Sequence, residues 1–164
     1  MLKFLQLQAV FGALLAMCVI VSARNPAPLF LAQDMLALLV IAVAIGGEAL
    51  SDWQLRQFRK QPANRGRICD IGLWRYSRHP NYFFECMVWL AWPLFAVNTA
   101  NGYHLGWLSL LAPVCMYWLL TRVSGIPPLE DVMLEKYGSR YRAYQSRTSA
   151  FFPLPPIQRK DSRA

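Results

Sequence analysis

The sequence predicts an all-α integral membrane protein with about four transmembrane helices, a basic cytoplasmic loop and amphipathic helices near the C-terminus. Three observations predict it. Of the 164 residues, 55% are hydrophobic, and they fall in blocks too long for the core of a soluble domain. The strand–helix alternation of an α/β domain is absent. The 17 Lys and Arg are gathered almost entirely into two segments between the apolar blocks and after them, the pattern that orients membrane helices.

Four spans can be drawn, roughly 2–22, 29–50, 82–97 and 105–123, each near the ~20 residues that cross ~30 Å of hydrocarbon. The first resembles a secretory leader, because Lys3 precedes an apolar run and small residues lie near Ser22 and Ala23. The run exceeds the usual core of such a leader, and the charge pattern needs it retained to orient the second helix. Gly12, Ala13 and Ala16 read as a close-packing face of this span. Asn25-Pro26-Ala27-Pro28 forms an external turn, and Asp34 opens the second span near the outer interface. Seven Lys and Arg lie between Arg56 and Arg78 and eight between Arg122 and Arg163, leaving Lys3 and Arg24. The positive-inside rule then puts both termini and the 51–81 loop in the cytoplasm. The net charge of +8 follows from these two segments and suits an anionic leaflet or a phosphate-bearing ligand; it does not favour nucleic acid.

Leaving the second span, Glu48, Asp52, Arg56 and Arg59 fall at i, i+4, i+8 and i+11 on one helical stripe. Such a stripe is either a ladder of salt bridges or a ligand wall, its carboxylates facing ribose or amide groups and its arginines facing phosphates. Gln61-Pro62 ends the helix, and Arg65-Gly66-Arg67 offers backbone and side-chain donors for an anion. The third span is short and carries Pro93, which predicts a kinked, tilted or partly interfacial helix. The fourth delivers Arg122 to the inner interface. Beyond Pro127-Pro128 the periodicity predicts a helix with Leu129, Val132, Met133 and Tyr137 on one side, ending at Gly138. A second short helix from Ser139 carries Tyr141 and Tyr144, read as packing residues, and the pair forms an amphipathic cap on the cytoplasmic face. One membrane domain over 1–156 and a mobile tail over 157–164 complete the organisation.

Cys18, Cys69, Cys86 and Cys115 have no paired spacing, and His79 and His104 are the two histidines. Neither a disulfide framework nor a metal site follows from them. No GxGxxG follows a strand and no GxxxxGK[ST] is present, so a bound nucleotide must be held by arginines and helix ends.

The most unusual stretch is 72–85, where Arg75, Arg78, His79, Asn81, Tyr82 and Glu85 crowd against the start of an apolar run. Polar groups there are costly to desolvate, and a basic-aromatic collar that only fixes helix depth does not need this ordered set. These residues resemble the signature of the steroid 5α-reductase C-terminal domain superfamily. That group includes sterol reductases, isoprenylcysteine carboxyl methyltransferases and many uncharacterised bacterial membrane proteins. The resemblance extends to Ser51–Arg59, Arg67, Arg122–Pro127, Glu130 and the stretch from Tyr137-Gly138 to Phe152-Pro153, covering about 46–156.

The resemblance implies a bacterial inner-membrane protein of lipid metabolism that binds NADPH. Its carry-over makes Asp52, Arg56, Arg59, Arg67, Arg78, His79, Asn81, Arg122 and Glu130 cofactor-binding residues. Tyr82 and Glu85 become the candidate proton donors. The implied reaction is reduction of a carbon–carbon double bond in a lipophilic, steroid- or isoprenoid-like substrate. Ile126 stands where the steroid enzymes have a cofactor-binding histidine. Family reductases also carry more N-terminal spans, so the substrate half comes from another subunit or a homo-oligomer, the chemistry differs, or the protein only binds. The alternatives are an S-adenosylmethionine-dependent membrane methyltransferase and a non-catalytic subunit that binds lipid or a partner. S-adenosylmethionine carries no phosphate, so four arginines at 56, 59, 67 and 122 are better explained by NADPH.

Overall fold

The computed structural model describes residues 2–27, 31–97 and 102–157. The tail 158–164, Pro28 of the external turn and the first two residues expected in the second span lie outside them. Six α-helices follow in chain order: α1 (Leu2–Ala23), α2 (Ala32–Lys60), α3 (Pro80–Ala96), α4 (Leu111–Trp118), α5 (Ile126–Tyr137) and α6 (Ser139–Gln145). Among the described residues there is no strand, only an isolated bridge between Ser77 and Ser149. The all-helical expectation holds.

Two stretches are long and apolar enough to cross a membrane, Ala32–Lys60 and His104–Tyr137. The apolar part of α1, Gln8–Ala23, is shorter, and α3 has 17 residues. Helix α2 runs ten residues past the expected inner boundary at Leu50, carrying the charged stripe on a continuous helix to Lys60. The second stretch is not uniform. It starts as a 3₁₀ turn over His104–Leu110, continues as α4, and widens into a π turn over Leu119–Val123, where the Ser124 N–H bonds the Leu119 carbonyl at 2.9 Å.

The residues of the expected single domain fall into two compact units, Met1–Ile45 with Glu85–Trp118 and Gly46–Phe84 with Leu119–Ala164. In the first, the end of α3 shows why polar residues sit in an apolar sequence. The last four carbonyls of a helix have no partner within it, and an unmet carbonyl in hydrocarbon costs several kcal/mol. Ser22 donates to the Trp92 carbonyl (3.1 Å), Asn25 to Phe95 (2.7 Å), and Gln33 to both Leu94 and Val97. Three side chains from α1 and α2 and the turn between them thus cap α3, and the helix continues through Pro93 to Ala96.

The second unit is built around Phe58, Cys69 and Trp74, packed against Leu55. The Trp74 indole donates to the Ser51 carbonyl at 2.9 Å, and the Gln54 side chain accepts the Leu73 N–H at 2.9 Å. These bonds fold the 61–76 loop back onto α2. Asn64 donates to the Phe58 carbonyl at 3.0 Å, meeting one of the acceptors left open where α2 ends. Gly138, at φ 55°, ends α5 and opens α6, a left-handed conformation that side chains disfavour.

Adjacent glycines in α2 differ sharply. A methyl group at Gly47 would overlap the Phe84 ring, whereas one at Gly46 would meet nothing within 4 Å. Gly46→Ala should therefore raise stability in detergent by up to about 1 kcal/mol, the helix-propensity gain. Gly47→Ala should lower it by about 1–3 kcal/mol through overpacking, and truncating the ring with Phe84→Ala should make the 47 substitution harmless. Thermal melting of the four variants checks both signs.

Candidate functional site

The chemistry of the second unit converges on Glu130, on α5. This helix follows the bend at Ser124 and Gly125 and carries Glu130, Asp131, Glu135 and Lys136, so it lies past the span expected over 105–123. Arg78 reaches Glu130 with both arms of its fork, Nε to Oε1 at 2.6 Å and Nη2 to Oε2 at 3.2 Å. His79 Nε2 lies 3.1 Å from Oε1, and Gln145 Nε2 donates to Oε2 at 2.9 Å. The Tyr141 hydroxyl adds a longer bond to Oε1 at 3.3 Å. An ionised carboxylate only accepts, so His79 presents its Nε2 hydrogen here. Burial alone would raise the Glu130 pKa. Hydrogen bonds from His79 and Arg78, the Arg78 charge and the Gln145 amide outweigh it and hold the carboxyl at about 2, against an ordinary 4.5.

The local fold explains how these groups meet. Ser77 is fully buried and donates to the Phe151 carbonyl at 2.9 Å, while the Arg78 N–H bonds the Ser149 carbonyl at 2.8 Å. The chain after α6 is therefore clamped alongside the residues that lead into α3. Arg78 Nη1 completes the clamp by donating to the Gln145 and Thr148 carbonyls, at 3.1 and 2.6 Å. The Tyr144 hydroxyl donates to the Trp74 carbonyl. Burial pushes the pKa values of both Tyr141 and Tyr144 up, so they act as neutral donors.

Beside this network lies a cavity of about 290 Å³. Its polar wall is Arg59, Arg67, Arg78, His79 and Asn81; Phe58, Trp74, Met133, Tyr137 and the two buried tyrosines supply most of the rest. Two features make it a candidate ligand site. The side chains of Arg59 and Arg67 form no ion pair or hydrogen bond among the described residues. The Asn81 Oδ1 atom is buried without a hydrogen-bond partner, a state that costs about 1–3 kcal/mol unless a donor arrives. Cys69 also lines the cavity, but burial raises its thiol pKa, which makes it wall rather than nucleophile.

Of the sequence-predicted site residues, the fold gathers Arg59, Arg67, Arg78, His79 and Asn81 around this cavity, with Glu130 behind Arg78 and His79. The donors of Arg78, and the Nε2 of His79, are committed to the protein itself, so these two hold the site in place rather than present themselves to it. Asp52, Arg56 and Arg122 do not line it, and Tyr82 is one step removed, its ring stacked on His79 at 5.5 Å with planes 9° apart. Glu85 belongs to the first compact unit. The stripe from Glu48 to Arg59 is no salt-bridge ladder: among the described residues the ion pairs are Arg78–Glu130 and Arg147–Asp70, with His79 in hydrogen-bond contact with Glu130. Gln145 and Trp74 enter the site unforeseen. No local pattern marks a glutamine that meets a carboxylate fifteen residues away.

Glu130→Gln should lower stability by about 3 kcal/mol, because it leaves the largely buried Arg78 charge uncompensated. The sign with pH follows from a folded pKa below the unfolded one. The stabilisation is complete above about 4.5 and is lost as pH falls toward about 2. Melting temperatures measured across that window should fall less steeply in Glu130→Gln than in the natural protein.

An uncharacterised protein of Schizosaccharomyces pombe is 35% identical over 86 residues, which cover 50% of this chain and 22% of the relative. The chain thus spans less than a quarter of the relative's length. No solved structure matches. Residues 1–148 match the family described as "Protein of unknown function (DUF1295)", and the chain belongs to that family.

Proposed function

We propose that this protein is an NADPH-dependent reductase of a carbon–carbon double bond in a lipophilic, steroid- or isoprenoid-like substrate, a relative of the steroid 5α-reductases. The observation that carries the reading is the meeting of Arg59, Arg67 and the orphan Asn81 carbonyl around one cavity. In this reading the chain crosses the bacterial inner membrane four times, with both termini and the 124–156 cap in the cytoplasm.

The residues present fit the cofactor. NADPH brings a pyrophosphate and a 2′-phosphate, which two guanidiniums without protein partners can bind bidentately. It also brings a carboxamide N–H₂, the kind of donor that Asn81 Oδ1 lacks. The cavity, about 290 Å³, is at the low end of the ~300–1,000 Å³ of ligand pockets. It suits a part of the dinucleotide, with phosphates left on the exposed arginines. When bound, NADPH supplies the hydride for the reduction.

The chain's own residues supply the rest. Arg59 and Arg67 bind, Asn81 orients, and the aromatic wall of Trp74, Tyr137 and Tyr141 excludes water, which strengthens each polar contact. Arg78, His79 and Glu130 keep Asn81 in position. Tyr82, stacked on His79, is the nearer candidate to deliver a proton, with Glu85 one helical turn further along α3.

Thermal stability of the detergent-purified protein at fixed salt tests this. NADPH at ~100 times its dissociation constant should add about 2.7 kcal/mol of stability, and Arg59→Ala should abolish the shift at that concentration. Stabilisation by S-adenosylmethionine instead would sink the reductase in favour of a methyltransferase. No shift with NADPH, NADH or S-adenosylmethionine would leave a non-catalytic binding subunit.

A further inference from the structure

A second concavity in the Gly46–Phe84 and Leu119–Ala164 unit shares no lining residue with the cofactor cavity. It measures about 780 Å³ and runs between the 70–75 segment and the chain after α6. Arg75, Arg147 and Thr148 give it polar character, Asp70 lies beside them, and Ile71 and Ile157 give it an apolar edge. We infer that this groove binds the phosphate headgroup of an anionic phospholipid from the cytoplasmic leaflet, with Arg75, Arg147 and Thr148 as its ligands.

Charge is the first argument. Arg147 donates to Asp70 at 2.5 Å, which neutralises one guanidinium. Arg75 is exposed, and its side chain has no partner among the described residues, so the groove keeps one unbalanced cation with a full fork of donors. A phosphate complements that set.

The second argument is Thr148. The residue is only 4% exposed, yet its hydroxyl makes no hydrogen bond among the described residues and lines the groove. Its backbone is pinned by Arg78, which holds the Thr148 carbonyl at 2.6 Å. That hydroxyl is free to donate, and an anion oxygen in the groove would take its hydrogen bond.

The apolar edge selects a lipid over a soluble phosphate. Ile71 is 52% and Ile157 71% exposed, although the Ile157 N–H is bonded to the Arg147 carbonyl at 2.9 Å, which fixes it at the rim. Two isoleucines held in the open beside arginines suit an amphiphile, whose glycerol and first methylenes can cover them. Arg75 also stands five residues before Pro80, where the apolar run of α3 begins, so the cation is close in sequence to membrane entry. A cation near an anionic leaflet is attracted to it.

The test uses the full chain in neutral detergent, titrated with dioctanoyl phosphatidylglycerol, dioctanoyl phosphatidylcholine, glycerol phosphate and inorganic phosphate. Thermal stability and native mass spectrometry read binding. Phosphatidylglycerol should bind at least about fivefold more tightly than phosphatidylcholine, and Arg75→Ala should erase that preference. Thr148→Val should weaken binding with little change in size, and Arg142→Ala, at an exposed arginine outside the groove, should leave it intact. Arg75→Ala removes no side-chain hydrogen bond or ion pair among the described residues, so its baseline melting should stay close to that of the natural protein. Equal binding of the two lipids overturns the inference, as does an Arg142→Ala loss as large as that of Arg75→Ala. Inorganic or glycerol phosphate binding as tightly as the lipid, with the same Arg75 dependence, would make the groove a soluble-anion site and overturn the lipid assignment. NADPH-dependent stabilisation should be unchanged in Arg75→Ala, which separates this groove from the cofactor cavity.

Discussion

A single carboxylate organises the Gly46–Phe84 and Leu119–Ala164 unit. Glu130 takes hydrogen bonds from Arg78, His79, Gln145 and Tyr141, and those donors come from two parts of the chain, the residues before α3 and helix α6. Burying a charge in this way is unfavourable unless every lone pair finds a donor. Once all are met, the arrangement tolerates little displacement, since moving any one element strands a buried charge. Arg78 extends the constraint by gripping the Gln145 and Thr148 carbonyls, so the chain beyond α6 is fixed by the same side chain.

This divides labour among the basic residues. Arg78 and His79 give their hydrogen bonds to the protein, while Arg59 and Arg67, on α2 and the loop after it, keep theirs. Asn81 sits three residues after Arg78, at the start of a helix whose entry the network fixes, and its carbonyl is the acceptor left without a donor. Rigid support on one side and unmet hydrogen-bonding capacity on the other is what a preorganised binding site requires, because the ordering cost is met on folding rather than on binding.

Much of the helical order was legible from apolar block length, from Pro at helix starts and from Gly138 at a helix end. Helix α5 followed from the spacing of Leu129, Met133 and Tyr137, and all three line the cavity. Burial of Tyr141 and Tyr144 agreed with their packing role. The site was legible as a set of residues but not as a geometry. Asp52 and Arg59 share a helical face, being seven residues apart, yet the rise of ~1.5 Å per residue separates them by about 10 Å along α2. A stripe read from sequence gives direction around a helix and says nothing of reach along it. Nor does sequence tell a binding arginine from a bracing one: Arg67 and Arg78 are alike until their partners are known.

The π turn at Leu119–Val123 carries a consequence for how this chain can vary. Its extra residue per turn shifts everything that follows by one position relative to an α-helical continuation, and Glu130 lies seven residues beyond Val123. Losing one residue there would shorten the path to the bend at Ser124 and Gly125, so that α5 and Glu130 would have to be re-seated against Arg78. Number of residues, and not only their chemistry, thus becomes a selected quantity between Leu119 and Glu130. In this region a substitution is a small perturbation and a deletion is a change of register.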